Sequence, residues 1–514
     1  MLTLMDWFAG AGGSSQGAHA VPGVEVKLAA NHWQLALDTH ATNFPHVTHK
    51  RGDIREEPVF TWPVADIHWA SPECTKWTIA NGQKRTFHRS RQDELIPREK
   101  TAEEISAEQS RALMEQVPAY LEGLVSRGKL VLAGVVENVI DERAWDGFDD
   151  WRRRFHRLGY KTRVIALNSM HAQPVRTLRA PQSRDRLYVA YWHRSLGRDP
   201  DWDKWLRPQA WCPVCDEIVP ALQVFKNLRR DMGRYRQQYV FRCPHATCRN
   251  TVIEPAVLPA YAAIDLTLPT RKIGEGKPGK KFRPYAAATI ARVQVGIDTI
   301  WAPLLVPTGG TWNTTAYPVT QPLRTRTATE NDGLALPPLL VPTEGRDGKT
   351  PFPATEPGRT QTTRRETGVA FPPSFLIPMR GGGDKERARP IDQPLHTVTA
   401  GGNHHYLATA PEPLLVPYYT HGKPKPASEP VGALTAKDRY ALATPAIDVN
   451  EVGFRMLEPE EIARGMAFDD GYVVLGDKRA KVKQLGNAVT PPAAEVLVSA
   501  LVEAITGEAL ERAA

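Results

Sequence analysis

Short apolar blocks alternate with amphipathic stretches over the first 200 residues. Residues 2–8 form an apolar run that reads as a buried strand, and Gly10-Ala11-Gly12-Gly13 follows before a small-residue helix over 14–20. Further runs of strand length lie at 24–30, 65–70, 130–136, 160–167 and 187–192. Between them, Thr101-Ala102-Glu103-Glu104 is a capping box opening a helix to about Arg127, and 151–158 is amphipathic helix. Strands alternating with helices predict an open α/β sheet.

In such sheets the chemistry gathers at strand ends. Strand, glycine-rich turn and helix let a backbone approach a nucleotide-like cofactor closely, although an ordinary βα turn has the same pattern. About 20 residues on, where nucleotide sites usually carry an acid, stand Asn31-His32-Trp33. The third strand ends in Gly52-Asp53-Ile54-Arg55, where Asp53 can accept from an adenine amino group or simply cap the next turn. The run at 65–70 ends in Ser71-Pro72-Glu73-Cys74-Thr75-Lys76-Trp77. A lone cysteine in an apolar setting is more often inert packing than a nucleophile. Residues 75–100 read as a long basic loop beside it, carrying Lys76, Lys84, Arg85, Arg89, Arg91, Arg98 and Lys100. Glu137-Asn138-Val139 ends the next strand, and burial there would raise the Glu137 pKa so that it holds a proton near neutrality. In Gln182-Ser183-Arg184-Asp185-Arg186, two arginines at spacing two share a strand face and can clamp a phosphate or a base carbonyl, or form a plain surface pair.

The whole chain has 514 residues, room for two to four domains, with 41% hydrophobic and 24% charged residues, an ordinary globular balance. No run approaches the roughly 18 apolar residues of a membrane span. The start, Met1-Leu2-Thr3-Leu4-Met5-Asp6, has no basic region or cleavage site, so no secretion signal is expected. With five cysteines, a reducing, cytoplasmic setting and metal binding or catalysis are expected rather than disulfides. A net charge of +8 hints at a polyanionic partner.

Four of the cysteines form one pattern, Cys212-x2-Cys215-x27-Cys243-x4-Cys248, which suits a tetrahedral structural zinc. Between the pairs lie Lys226, Arg229, Arg230, Arg234 and Arg236 with Tyr235 and Tyr239, a mixture that suits a DNA backbone unless the ribbon only braces the fold. A second basic run ends in Lys280-Lys281-Phe282-Arg283. From 304 the chain repeats: Leu304-Leu305-Val306-Pro307, Leu339-Leu340-Val341-Pro342, Phe375-Leu376-Ile377-Pro378 and Leu414-Leu415-Val416-Pro417. Each copy runs through a Gly/Pro loop to a Thr-rich segment, which predicts four stacked units of short strands with prolines at edges and turns. Read by pattern alone, such an array could be a spacer or scaffold that never touches DNA.

Taken in order, seven segments resemble the DNA (cytosine-5) methyltransferase family. They are Phe8-Ala9-Gly10-Ala11-Gly12-Gly13, Gly52-Asp53-Ile54, Ser71-Pro72-Glu73-Cys74, Glu137-Asn138-Val139, Gln182-Ser183-Arg184-Asp185-Arg186, Arg455-Met456-Leu457 with Glu461 and Ala463-Arg464, and Gln484-Leu485-Gly486-Asn487-Ala488-Val489. The likeness covers roughly the first 195 and last 65 residues plus 263–296. It implies a Rossmann-like S-adenosylmethionine-dependent methyltransferase sheet, discontinuous in sequence, with parts at 1–200 and 448–514. Interrupting it would be a target-recognition region, composed of a zinc-bearing insert with its basic segment at 201–300 and a β-rich repeat array at 301–447.

The same resemblance implies a reaction. Cys74 would add to cytosine C6 and make C5 nucleophilic toward the methyl group of S-adenosylmethionine. Glu137 would bond or protonate ring N3. Arg186 would meet the cytosine O2, and Arg184 would support it or bind a phosphate. Phe8, Gly10, Gly12, Asp53, Ile54 and Asn487 would line the cofactor site, Phe8 by stacking on adenine. The target base would be flipped out of double-stranded DNA, under closure of the 75–100 loop, by a monomeric enzyme of the kind found in restriction–modification. The sequence departs from the family pattern at Glu73 (usually Pro), Thr75 (usually Gln) and His32 (usually a ribose-binding Glu). Two alternatives keep the fold: an RNA cytosine-5 methyltransferase, and a DNA-binding protein with a disabled catalytic domain.

Overall fold

The structure is a computed structural model that describes residues 1–72, 102–258 and 458–512, much of 260–290, and a set of short strands between 304 and 454. Seven strands make the central sheet: β1 (Leu2–Trp7), β2 (Val24–Asn31), β3 (Thr48–Arg51), β4 (Ile67–Ala70), β5 (Ala133–Asn138), β6 (Tyr160–Asn168) and β7 (Asp185–His193). Their order is β3-β2-β1-β4-β5-β7-β6. The first five are parallel, and β7 runs against both β5 and β6. β4 and β5 are buried along their whole length, which is why they read as continuous apolar runs rather than as alternating ones.

Helices cover both faces. On one side α3 (Ala102–Val125) and α4 (Phe148–Arg157) bury Tyr120, Leu121, Trp151 and Phe155 against Trp7 and Tyr191. On the other, α1 (Gly13–His19) contributes Ala18 to a core that also takes in Val26, Ile67 and Val135. That second face is completed from the far end of the chain. After α5 (Trp202–Leu206) come, much later, α6 (Pro459–Gly465), α7 (Lys478–Asn487) and α8 (Pro491–Thr506), and α8 buries Val496, Leu497, Leu501 and Val502 in the same core. The domain is thus discontinuous, as expected. Two glycines of α1 allow the closure, since a Cβ on Gly13 would collide with the Val489 carbonyl and one on Gly17 with the Pro491 carbonyl. The stretch Lys478–Thr506 contains a window apolar enough by composition to cross a membrane, yet 89% of that window is buried inside the protein, and that burial accounts for its composition.

The cysteine-bearing insert is built from β8 (Gln209–Cys212), β9 (Glu217–Pro220), β10 (Leu222–Phe225), β11 (Tyr239–Arg242) and β12 (Val252–Ile253). β8 and β9 form a hairpin, and β10, β11 and β12 a second small antiparallel sheet. Further on, the recurring segments fall on the strands Leu304–Pro307, Leu339–Leu340, Ser374–Pro378 and Leu414–Pro417. Each pairs antiparallel with a two-residue strand ending in proline, through Leu304↔Pro318, Leu339↔Pro353, Phe375↔Pro390 and Leu414↔Pro426. Proline has no N–H to give a neighbour, so it suits such an edge. The first and fourth copies share one further register, Leu304↔Ala335 matching Leu414↔Ala443.

Candidate functional site

The strand order reverses between β1 and β4, and the crevice above a reversal is where open α/β sheets bind ligands. The two strand ends are tied together, the Ser71 N–H donating to the Trp7 carbonyl at 3.1 Å. From Trp7 the chain enters the glycine turn with left-handed φ at Phe8 (61°), Gly10 (54°) and Gly12 (90°). Left-handed residues set among right-handed ones turn successive N–H groups toward one concavity, and two of the three are glycine because only glycine takes that conformation freely. Among the described residues a Cβ on Gly10 would meet nothing nearer than the Phe8 carbonyl at 3.8 Å, which leaves the space above it open to them, whereas Gly12 is packed under Tyr472 and His40.

A buried polar chain supports this turn from below. Asp6 is wholly buried and accepts from the hydroxyls of Ser14 and Ser15, each at 2.6 Å. Loss of water pushes its carboxyl up to about 7, against the pull of the two serines. The Ser15 hydroxyl lies 2.9 Å from His40 Nε2, and His40 Nδ1 lies 2.9 Å from His49 Nε2.

Around the crevice, Asp53 does what a turn cap does. Its Oδ1 accepts from the Arg55 N–H at 3.0 Å, and the Arg55 guanidinium holds the carboxyl below its ordinary range. Ile54 is buried in the core. His32 is exposed, while Trp33 is half-buried, donates its N–H to Asn31 Oδ1 at 2.9 Å and carries the Lys483 ammonium 4.5 Å from its ring centre. The sequence reading did not single out Trp33 as a ligand contact; an aromatic at the end of β2, beside the place where an acid is usual, was the available signal.

The second half of the site lies at the ends of β5 and β7. Glu137 is 8% exposed, and its Oε1 sits 3.2 Å from Arg186 Nε. Burial raises the Glu137 pKa, with Arg186, Arg184 and the Ser71 hydroxyl pulling the other way. That is the environment expected from the apolar run before it. Arg184 is also buried and donates to the carbonyls of Ala488 at 2.9 Å and Gly486 at 3.3 Å. Asn487 is exposed between those two residues, at the end of α7. Arg184 is thus tied to the C-terminal segment and Arg186 to Glu137. Cys74, Glu73 and Thr75 lie outside the described residues, as do 76–100, Thr101 and Arg455-Met456-Leu457. Ser71 and Pro72 bring the chain to the edge of the Glu137–Arg186 pair, since Ala70 is paired with Val136.

The four remaining cysteines converge. The Sγ atoms of Cys212, Cys215, Cys243 and Cys248 all lie within 4.8 Å of one another, and Cys215 and Cys243 are 3.9 Å apart. Four sulfurs at about 2.3 Å from a tetrahedral zinc would be separated by roughly 3.8 Å, so the donor set fits that ion. The insert also corrects one expectation. Tyr235 and Tyr239 are not surface aromatics: both are buried, Tyr235 N–H donates to Asp185 Oδ1 at 3.1 Å, and Tyr239 O–H donates to the same oxygen at 3.3 Å. Arg234 is likewise turned inward to Asp141 at 3.0 Å, leaving Lys226, Arg229 and Arg230 as exposed cations.

The family model described as C-5 cytosine-specific DNA methylase matches residues 2–200 and 386–503. Its second segment reaches back into the stretch that the sequence pattern divides into repeats. Among solved structures, the chain is similar to the Entamoeba histolytica methyltransferase EhMeth at 11% identity, over 98% of each chain, with a TM-score of 0.43. It is similar to the S. pombe Dnmt2 methyltransferase at 10% identity, over 98% of this chain and 100% of that one, TM-score 0.45. A DNA modification methyltransferase encoded within an E. coli prophage is similar at 14% identity, over 99% and 100%, TM-score 0.41. No curated protein matches the chain.

Proposed function

The chain belongs to the C-5 cytosine-specific DNA methylase family, and from that premise we propose that it methylates C5 of cytosine in double-stranded DNA, with Cys74 as the nucleophile. The observation that carries this reading is the buried Glu137–Arg186 pair beside Ser71, three positions before Cys74. A cytosine ring presents N3 and O2 side by side. A protonated carboxyl can donate to N3 while a guanidinium donates to O2, so the pair offers two matched donors to that one edge. With N3 protonated by Glu137, the Cys74 sulfur adds to C6 and electron density moves to C5. After C5 has taken the methyl group it loses its proton, and the S–C6 bond breaks to restore the ring.

S-adenosylmethionine, when bound, supplies that methyl group as a sulfonium. The open space over Gly10 and the left-handed turn from Phe8 to Gly12 fit its close approach. Asn31, Trp33, Asp53 and Asn487 surround the same crevice, and Trp33 offers an aromatic face for adenine. Arg184 would hold the C-terminal segment, and thus Asn487, against the sheet. Zinc bound by Cys212, Cys215, Cys243 and Cys248 would serve structure alone, because four protein sulfurs leave no open position.

The test is covalent trapping. A duplex carrying 5-fluorocytosine, offered with S-adenosylmethionine, should become bound to the protein, and Cys74→Ser should abolish the adduct. Equal or better methyl transfer to tRNA in direct competition would move the substrate to RNA. Absence of any adduct, with cofactor and DNA binding intact, would leave only a binding protein. Bisulfite sequencing of DNA from cells expressing the protein would then give the sequence context.

A further inference from the structure

Three consecutive residues, Arg184 and the first two of β7, are each held by a different part of the chain. Arg184 is fixed to the C-terminal carbonyls of Gly486 and Ala488, and Arg186 to Glu137 on the neighbouring strand. Asp185, between them, belongs to the insert, whose Tyr235 N–H and Tyr239 O–H both converge on its Oδ1. Side chains alternate across a strand, so the face that Asp185 presents to the insert is the reverse of the one that carries the arginines. A buried carboxylate must be met by donors; the Asn168 side chain supplies one from β6, and the two on Oδ1 come from the insert. Further ties run the same way: Arg234 to Asp141, Asp231 to Arg143, and the rings of Tyr235 and Phe241 edge-on to buried His171 at 4.4 and 4.8 Å.

We infer that Asp185 is a positioning residue through which the cysteine insert sets the backbone of 184–186 and, with it, the geometry of the Glu137–Arg186 pair. The inference rests on the function proposed above for what docks against that pair; the coupling itself is a property of the strand. The insert is then more than an appendage for finding DNA: without its two tyrosine donors, Asp185 draws the strand toward water and Arg186 moves with it.

Full-length Asp185→Ala, Asp185→Asn and Tyr239→Phe test this. Asparagine keeps the accepting oxygen and should rescue most of what alanine loses. The first readout needs no activity: in Asp185→Ala, amide hydrogen exchange should rise about tenfold at 184–188 and at 137–138, while 4–12 keeps wild-type protection. The second is kinetic. Methyl transfer to cytosine duplex should fall about tenfold in kcat with the KM for S-adenosylmethionine unchanged. Glu137 is faced by Arg186, Arg184, Tyr188 and the Ser71 hydroxyl. With Arg186 displaced, less positive charge holds the carboxyl down, so the pH limb belonging to Glu137 should move to higher pH. Tyr239→Phe should move both readouts the same way by a smaller amount. Wild-type exchange at 184–188 in Asp185→Ala would overturn the inference. So would a loss of protection spread evenly over the sheet with an unchanged pH limb, because that describes a brace for the fold only. A wild-type protein that transfers nothing to any nucleic acid would sink the proposed function instead, and the coupling would be judged on exchange.

Discussion

The sheet domain and the cysteine insert solve the same problem with different means. The sheet has strands of four to nine residues, and helices bury it on both faces. Its order follows from burial, and no single side chain carries it. The insert has strands of two to four residues. One of its faces joins the sheet's own core through Tyr239, Phe241 and Ile253, while Trp211, Val214, Ile218 and Val252 stay exposed on the other side. A half-buried module of that size gains less from burial than the sheet does, and a metal held by the four sulfurs would supply the difference. Where the two regions meet, at 184–186, the order of one becomes the geometry of the other.

The comparison breaks most sharply at a sulfur. Structural zinc in small modules is worth about 10–16 kcal/mol of apparent folding free energy at neutral pH. Cys243 is fully buried among its three partners, so Cys243→Ser should release the metal and unfold 209–255. Limited proteolysis should then cut inside the insert, while 1–70 and 458–512 persist together as a protected pair. Zinc content measured on the wild-type protein comes first: if it holds no metal, the insert must be stable by some other means.

Glu137→Gln leaves the fold alone and strikes the site. Glutamine keeps the shape and can donate to N3, but it cannot give up a proton, and general acid catalysis is worth about 10²–10⁴ in rate. The sign of the pH dependence follows from burial. The folded pKa is raised, so the protonated, active form survives to higher pH than in an exposed glutamate, and kcat falls as pH rises through that raised value. The glutamine variant should lose this limb. A limb that stays in place belongs to another group.

Asp6 asks how much the sheet domain tolerates inside itself. Its pKa is raised from 3.8 to about 7, so the folded state binds this proton more tightly than the unfolded state does. The resulting stabilisation is complete below the unfolded value near 4 and is lost as pH rises through about 7. Three pH units of difference correspond to an upper limit of about 4 kcal/mol. Urea unfolding should show wild-type stability falling between pH 4 and 8, and Asp6→Asn should flatten that slope. Equal slopes in the two proteins would mean that Asp6 stays ionised when buried.

Much of this was legible in the residues. The largely apolar runs of β4 and β5, and the glycine turn after β1, marked the sheet and the strand ends because burial on both faces favours apolar residues throughout. The paired cysteines marked the four-sulfur cluster because the spacing of two knuckles is local. What could not be read was which part of the chain each site residue leans on. Arg184 and Arg186 have the same spacing whether they face one ligand or two different segments, and only the return of 486–488 to the sheet decides it. Tyr235 and Tyr239 looked like surface aromatics among cations, yet a buried carboxylate 50 residues earlier turns them inward. Such long-range pairings leave no period in the sequence.

The smallest expected effect sharpens the contrast from the sheet's side. Glu495 of α8 staples the loop that leads to β7: Oε1 accepts the N–H groups of Val175 and Arg176 at 2.7 and 2.9 Å, and Oε2 accepts that of Thr177 at 2.7 Å. Glu495→Gln keeps one oxygen for two of these donors and sets an amide NH2 against the third. Leaving one buried donor unmet costs about 1–3 kcal/mol. The unfolding free energy from urea titration should drop by that amount through a lower midpoint at unchanged slope, and the variant should still fold at 25 °C. A staple inside the sheet domain can fail in this way because burial of Ala493 and Ala494 before it and of Val496, Leu497 and Leu501 after it still holds α8 in place. Around Cys243 burial is one-sided, with Trp211, Val214 and Ile218 of the same module exposed. If Glu495→Gln instead unfolded the chain as completely as Cys243→Ser unfolds the insert, the sheet domain would depend on single side chains too, and its stability would not come from distributed burial.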